Sequence, residues 1–136
     1  MPIVKVSANN SFQAKKKILR EVCQEIIPAA LNSSEGPLSP GCIQFKYSNV
    51  GKDDINTDVF IEIKAYKFND RLIDLEDRVE LIREVLNGMF RRYTFSIWVE
   101  LVDAGYSSDV KDPSINCDMS MEAAINRLRK NSKLKL

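Results

Sequence analysis

The sequence predicts an α+β two-layer sandwich: one four-stranded mixed sheet with two helices on one face. Three observations carry that expectation. Hydrophobic residues alternate with polar ones in four short segments, the two-residue period of half-buried strands. Two longer segments between them switch to the spacing of an amphipathic helix. Their order is β-α-β-β-α-β, two similar halves in one chain.

The elements follow in order. "PIVKVSA" (2–8) opens as a strand, and proline is tolerated there because a first strand residue need not donate to the ladder. "NNSFQAKKKILREVCQEII" then turns helical: Ile18, Val22 and Ile26 share a face with Leu19 and Cys23. Asn10 is placed to cap this helix with Gln13 three residues on, and Pro28 weakens its end. "LNSSEGPLSPG" is a loop by composition. "CIQFKYS" is a strand with Ile43, Phe45 and Tyr47 on one side and Gln44 and Lys46 on the other. After the polar connection "NVGKDDINTD", "VFIEIKAY" is the clearest strand, with Val59, Ile61, Ile63 and Ala65 on one face. A turn at "KFNDR" leads to a second helix, with Asp74 as its cap and an apolar stripe of Leu75, Val79, Ile82, Leu86 and Met89. "YTFSIWVELV" is the fourth strand. Phe60 and Trp98 stand opposite Ile61 and Ile97, which predicts a sheet covered on both faces. "DAGYSSDVKDPSINCD" is irregular, and "SMEAAINRLRK" forms a short helix capped by Ser120 before a basic tail. The expected organisation is one domain over 1–106 and a C-terminal extension over 107–136. The element order alone fits a ferredoxin-like fold as well as other β-α-β duplications.

Composition narrows the function. A chain of 136 residues, 44% apolar and 29% charged, suits a soluble domain with a hydrophobic core. A net charge of +1 gives no general case for nucleic acid or an anionic membrane, and the basic "RLRKNSKLKL" reads as a solvated tail. No apolar run reaches membrane-spanning length and the start has no signal-peptide character, so a cytoplasmic location is expected. Cys23, Cys42 and Cys117 form no CxxC pair and read as reduced, packed thiols. The chain has no histidine. Ser–His–Asp and Cys–His arrangements and histidine-based zinc sites are thereby excluded, and no Gly-rich phosphate cradle is present. Acid–base chemistry near neutral pH must come from a carboxylate, lysine, cysteine, tyrosine or terminal amine of shifted pKa.

The amino terminus offers such a group. Loss of Met1 from "MP" would leave Pro2 as a secondary amine at the end of a rigid apolar strand, and burial lowers the pKa of an amine. Joined to the element order and to Arg71, this start resembles the tautomerase superfamily, in particular its carboxymethyl-hydroxymuconate isomerase branch. The resemblance runs from residue 2 to about 106. It is densest over 59–103, in "VFIEIKAYKFNDR", "LEDRVELIREVLNGMF" and "TFSIWVELVD". It implies a duplicated β-α-β unit of the tautomerase type. It also implies a cofactor-free isomerase that moves a proton between carbons of an unsaturated 2-hydroxy or 2-keto acid. Pro2 would serve as base and then acid, and Arg71 would grip a carboxylate of a small acidic substrate through its fork of donors. The family's second-strand arginine falls on Gln44, with Lys46 on the same face to supply a point charge, and Trp98 matches an aromatic pocket wall. The resemblance further implies a homotrimer and chemistry with no cofactor or metal, while charge and hydropathy predict neither a nucleic-acid nor a membrane partner. The alternative is a catalytically silent trimeric homologue that binds a ligand or protein, to which Gln44 and the C-terminal extension point.

Overall fold

β1 (Ile3–Ala8), β2 (Gln44–Asn49), β3 (Val59–Tyr66) and β4 (Phe95–Val102) form one sheet in the order β2-β1-β3-β4. The pairs β1–β2 and β3–β4 are parallel, and β1–β3 is antiparallel. Parallel neighbours need a crossover, and each half supplies a helix for it: α1 (Lys16–Ala30) and, after the short α2 (Asn69–Ile73), α3 (Leu75–Met89). The computed structural model describes residues 1–103 and 120–134. The chain divides into two units, Met1–Gly105 and Tyr106–Leu136. The expected irregular stretch 103–118, and Cys117 with it, lies outside the described residues apart from Asp103. In the second unit α4 (Met121–Leu134) begins at Ser120, whose Oγ accepts from the Ala123 amide at 3.2 Å, the cap the sequence predicts. Among the described residues no helix is long and apolar enough to cross a membrane.

One face of the sheet makes the core. Val4, Val6 and Ala8 of β1 and Val59, Ile61, Ile63 and Ala65 of β3 are buried with Leu19, Cys23 and Ile27 of α1 and Ile82 and Leu86 of α3. Strand alternation and the two helical stripes thus converge on one layer. Burial pushes the Cys23 thiol up to about 12, so it stays protonated and inert at neutral pH. The opposite face is open in the single chain: Ile3, Tyr66 and Trp98 are exposed among Lys5, Lys46, Lys64 and Glu100.

The helix starts depart from the sequence reading. Residues Asn10–Lys15 wind as a 3-10 helix before α1, and Asn10 lies inside it and makes no capping bond. Phe12, fully buried, explains the tight winding. Its ring meets Tyr93 edge-on at 4.8 Å between centroids, Phe90 at 5.4 Å and Phe95 at 5.9 Å. Asp74 precedes α3 but caps no amide; its Oδ1 instead accepts from Arg78 Nε at 2.6 Å. The "KFNDR" turn is largely the helix α2, and Met89 at the end of the predicted stripe is 56% exposed.

Two connections are stitched by side-chain and backbone partners. Pro28 sits inside α1 with no N–H to give, which leaves the Gln24 carbonyl without its helical donor. The Gly41 amide takes that place at 2.8 Å, from a residue whose φ of 82° suits glycine. At the other sheet end, Asp58 accepts from the Thr94 amide (2.9 Å) and Asn9 Nδ2 (2.9 Å), which joins the starts of β3 and β4 to the end of β1. These bonds, the Thr94 amide first and Asn9 next, hold the Asp58 carboxyl below its ordinary value. A folded pKa below the unfolded one contributes stability above the unfolded pKa, and that contribution is lost as pH falls through the folded value. Asp58→Asn is therefore expected to lower stability at pH 7 and to lose less of it than wild type on acidification below about pH 4. Denaturation midpoints measured across that range check this.

Candidate functional site at the amino-terminal end of the sheet

Pro2 stands one residue before β1 and its ring is fully buried, on the face of Val4 and Val6. Its carbonyl accepts from the Gln44 amide at 2.9 Å, so β2 holds it from one side. One step beyond the pair Ile3–Lys64, it comes level with Ala65 of β3 on the other. Buried Ile43 and Ala65 therefore flank it with apolar surface. Met1 is 54% exposed and outside the ladder.

Arg71 lies at this same end, where β3 runs into α2, yet its side chain faces inward. Its residue is only 2% exposed. Nε donates to the Leu31 carbonyl at 2.6 Å and Nη1 to the Tyr66 carbonyl at 2.8 Å, while the Phe68 ring lies 4.8 Å from the guanidinium carbon. Burial lowers its pKa from the usual arginine value, against the attraction of Asp70. Arg78, which no sequence motif singled out, works beside it. Its Nη1 donates to the Ala30 (3.1 Å) and Asn32 (2.6 Å) carbonyls. The two arginines thus satisfy carbonyls at the end of α1, where the helix leaves acceptors bare and cations are favoured.

Asp70 completes the cluster. Its carboxylate accepts from Ser33 Oγ at 2.8 Å and the Ser34 amide at 3.2 Å, and the Ser33 bond is the foremost cause holding its pKa low. The loop after α1 also presses on Phe68: a Cβ at Gly36 would fall 2.6 Å from Phe68 Cε2, so only glycine fits without displacing the ring.

The remaining site candidates occupy the open face. Gln44 and Lys46 are exposed on β2, an edge strand. Trp98, 62% exposed, is on β4, the other edge. Register runs Lys46–Lys5–Glu62–Trp98 across the sheet. Three interstrand steps of about 4.8 Å put Lys46 and Trp98 roughly 14 Å apart. The fold brings Pro2 and Arg71 to one sheet end and the Gln44 backbone beside Pro2, with the Gln44 and Lys46 side chains on the face opposite the Pro2 ring and Trp98 on the far edge.

No family model matches the chain, and no curated protein matches it by sequence. Solved structures do. A protein named native Ps01740 superposes with a TM-score of 0.54 at 9% identity, over 79% of this chain and 99% of its own. A 5-carboxymethyl-2-hydroxymuconate delta-isomerase gives 0.49 at 12% identity, over 82% and 88%. Leishmania major MIF2 gives 0.42 at 8% identity, over 78% and 93%. At these identities the likeness is one of fold. The fold is an α+β sandwich of two β-α-β units around one mixed sheet, the arrangement the sequence predicts.

Proposed function

We propose that the chain is a cofactor-free tautomerase or isomerase of small unsaturated 2-hydroxy or 2-keto acids, with the Pro2 amine, freed by removal of Met1, as its acid–base group. The observation that carries the reading is the setting of Pro2: a ring buried between Ile43 and Ala65 behind an exposed Met1. An amine in apolar surroundings is disfavoured as a cation, so a neutral fraction is ready to take a proton. The nitrogen removes a proton from a carbon next to the carbonyl, leaving an enolate, and returns it to another carbon of the conjugated system. The atoms balance with no oxidant or cofactor.

The enolate and the substrate carboxylate need positive or donating partners. Arg71 was the sequence candidate, but its Nε and Nη1 already serve backbone carbonyls. The carboxylate therefore falls to Lys46, with Gln44 as a hydrogen-bond donor. Trp98 enters as a pocket wall only from a neighbouring copy in a trimer that covers the open sheet face, an arrangement this reading includes. Edge strands β2 and β4 and the exposed Ile3, Tyr66 and Trp98 favour such cover.

The test is Pro2→Ala, after intact-mass measurement has established loss of Met1 in the wild type. Tautomerisation of phenylenolpyruvate is expected to fall by about a hundredfold or more. Because Pro2 is buried, the denaturation midpoint is measured beside the rate; equal rates in a folded variant refute the mechanism. The commitment of the Arg71 guanidinium favours a second reading, a catalytically silent trimer that holds a ligand or protein. Retention of Met1 in the mature protein, with no turnover of enolpyruvates, selects it.

A further inference from the structure

A cavity of about 360 Å³ opens at the opposite end of the sheet from Pro2, between the 3-10 helix and the turn that joins α3 to β4. Its size is that of a small-ligand site. β1 alone separates the two ends by roughly 20 Å, at about 3.3 Å per residue. Three cationic side chains, Lys15, Arg91 and Arg92, belong to its wall. Among the described residues none of them makes an ion pair or a side-chain hydrogen bond, whereas Arg78 and Arg83 on the preceding helix α3 are both matched to carboxylates. Tyr93, half-buried, supplies the aromatic wall, with Phe90, 4% exposed, packed behind it in the core. That wall is fixed: both rings pack on buried Phe12, the Tyr93 amide donates to the Phe90 carbonyl at 3.1 Å, and its hydroxyl to the Ser11 carbonyl at 3.2 Å.

We infer that this cavity binds a compact aromatic oxyanion, an aryl phosphate or a ligand of the same chemistry, at a site separate from Pro2. Arginine presents forked donors suited to a tetrahedral or planar oxyanion, and the aromatic wall takes the flat apolar body. The carbonyls at the end of α3 carry partial negative charge and oppose an anion there. Arg91 and Arg92 must outweigh them, so binding depends steeply on these two residues. Gly88, also on the wall, has open space where a Cβ would project, which leaves room for the ligand.

The experiment is titration of the full chain with phenyl phosphate, followed by amide chemical shifts and calorimetry. Inorganic phosphate and benzyl alcohol are the two half-ligands. Phenyl phosphate is expected to bind about tenfold or more tightly than either, with shifts concentrated at 88–93. Arg91→Ala with Arg92→Ala is expected to weaken it by about tenfold per arginine, the worth of one charge-assisted hydrogen bond. Gly88→Leu keeps every charge and fills the space, and is expected to weaken binding as well. Wild-type affinity in either variant, equal affinity for inorganic phosphate, or shifts centred on residues 2–5 and 43–46 would overturn the inference.

Discussion

Phe12→Ala is expected to cost about 3–5 kcal/mol of stability, the range for truncating a fully buried aromatic side chain. Three features put it there. The ring is inaccessible to solvent and meets three other rings, each edge-on or tilted. Those partners come from the turn after α3 and the start of β4, so no single neighbour can move in to fill the space. The 3-10 winding that delivers Phe12 has no side-chain cap to hold it once the ring is gone. Phe12→Leu, which keeps most of the volume, should lose less than half as much. Chemical denaturation of both variants decides the matter, and a loss under about 1 kcal/mol for alanine would mean the cluster is not a unit.

Arg71→Ala is expected to cost about 3 kcal/mol. Two charge-assisted hydrogen bonds disappear, and the Leu31 carbonyl loses its donor in a buried setting, while the Tyr66 carbonyl keeps the Phe68 amide. Arg71→Lys should restore only part, because one ammonium lacks the fork that reaches both carbonyls. The sign of a second readout separates this from the role that family resemblance implies. A structural arginine lowers the denaturation midpoint and leaves the saturation behaviour of folded enzyme with acidic substrates unchanged. An unchanged midpoint with weakened substrate binding would return Arg71 to the pocket.

Arg71 also shows where sequence reading reaches its limit. Its position at the end of the third strand was legible, because "VFIEIKAY" alternates cleanly and the chain turns directly after it. Its partner Leu31 is 40 residues away, and nothing local in "NDRLI" distinguishes a guanidinium aimed at solvent from one aimed at a helix end. The faces of β3 and the burial of Ile82 and Leu86 followed from period alone. Asn10 and Asp74 had the residue types of helix caps, but Phe12 burial tightened the first site and Arg78 claimed the carboxylate at the second. The Pro2 setting was half legible: an apolar strand start was plain, its place between Ile43 and Ala65 was not. Phe12 was read as part of a helix, and the aromatic cluster it anchors gave no sequence signal, since its members lie some 80 residues apart.

The grip of Arg71 and Arg78 on the last carbonyls of α1 ties the two halves of the duplication together. A polypeptide containing only the first half would finish its crossover helix with those acceptors uncovered, and the second half alone would leave Arg71 Nε and Arg78 Nη1 without the carbonyls they serve. The two halves are therefore interlocked rather than independent modules, each completing hydrogen bonds that the other leaves open.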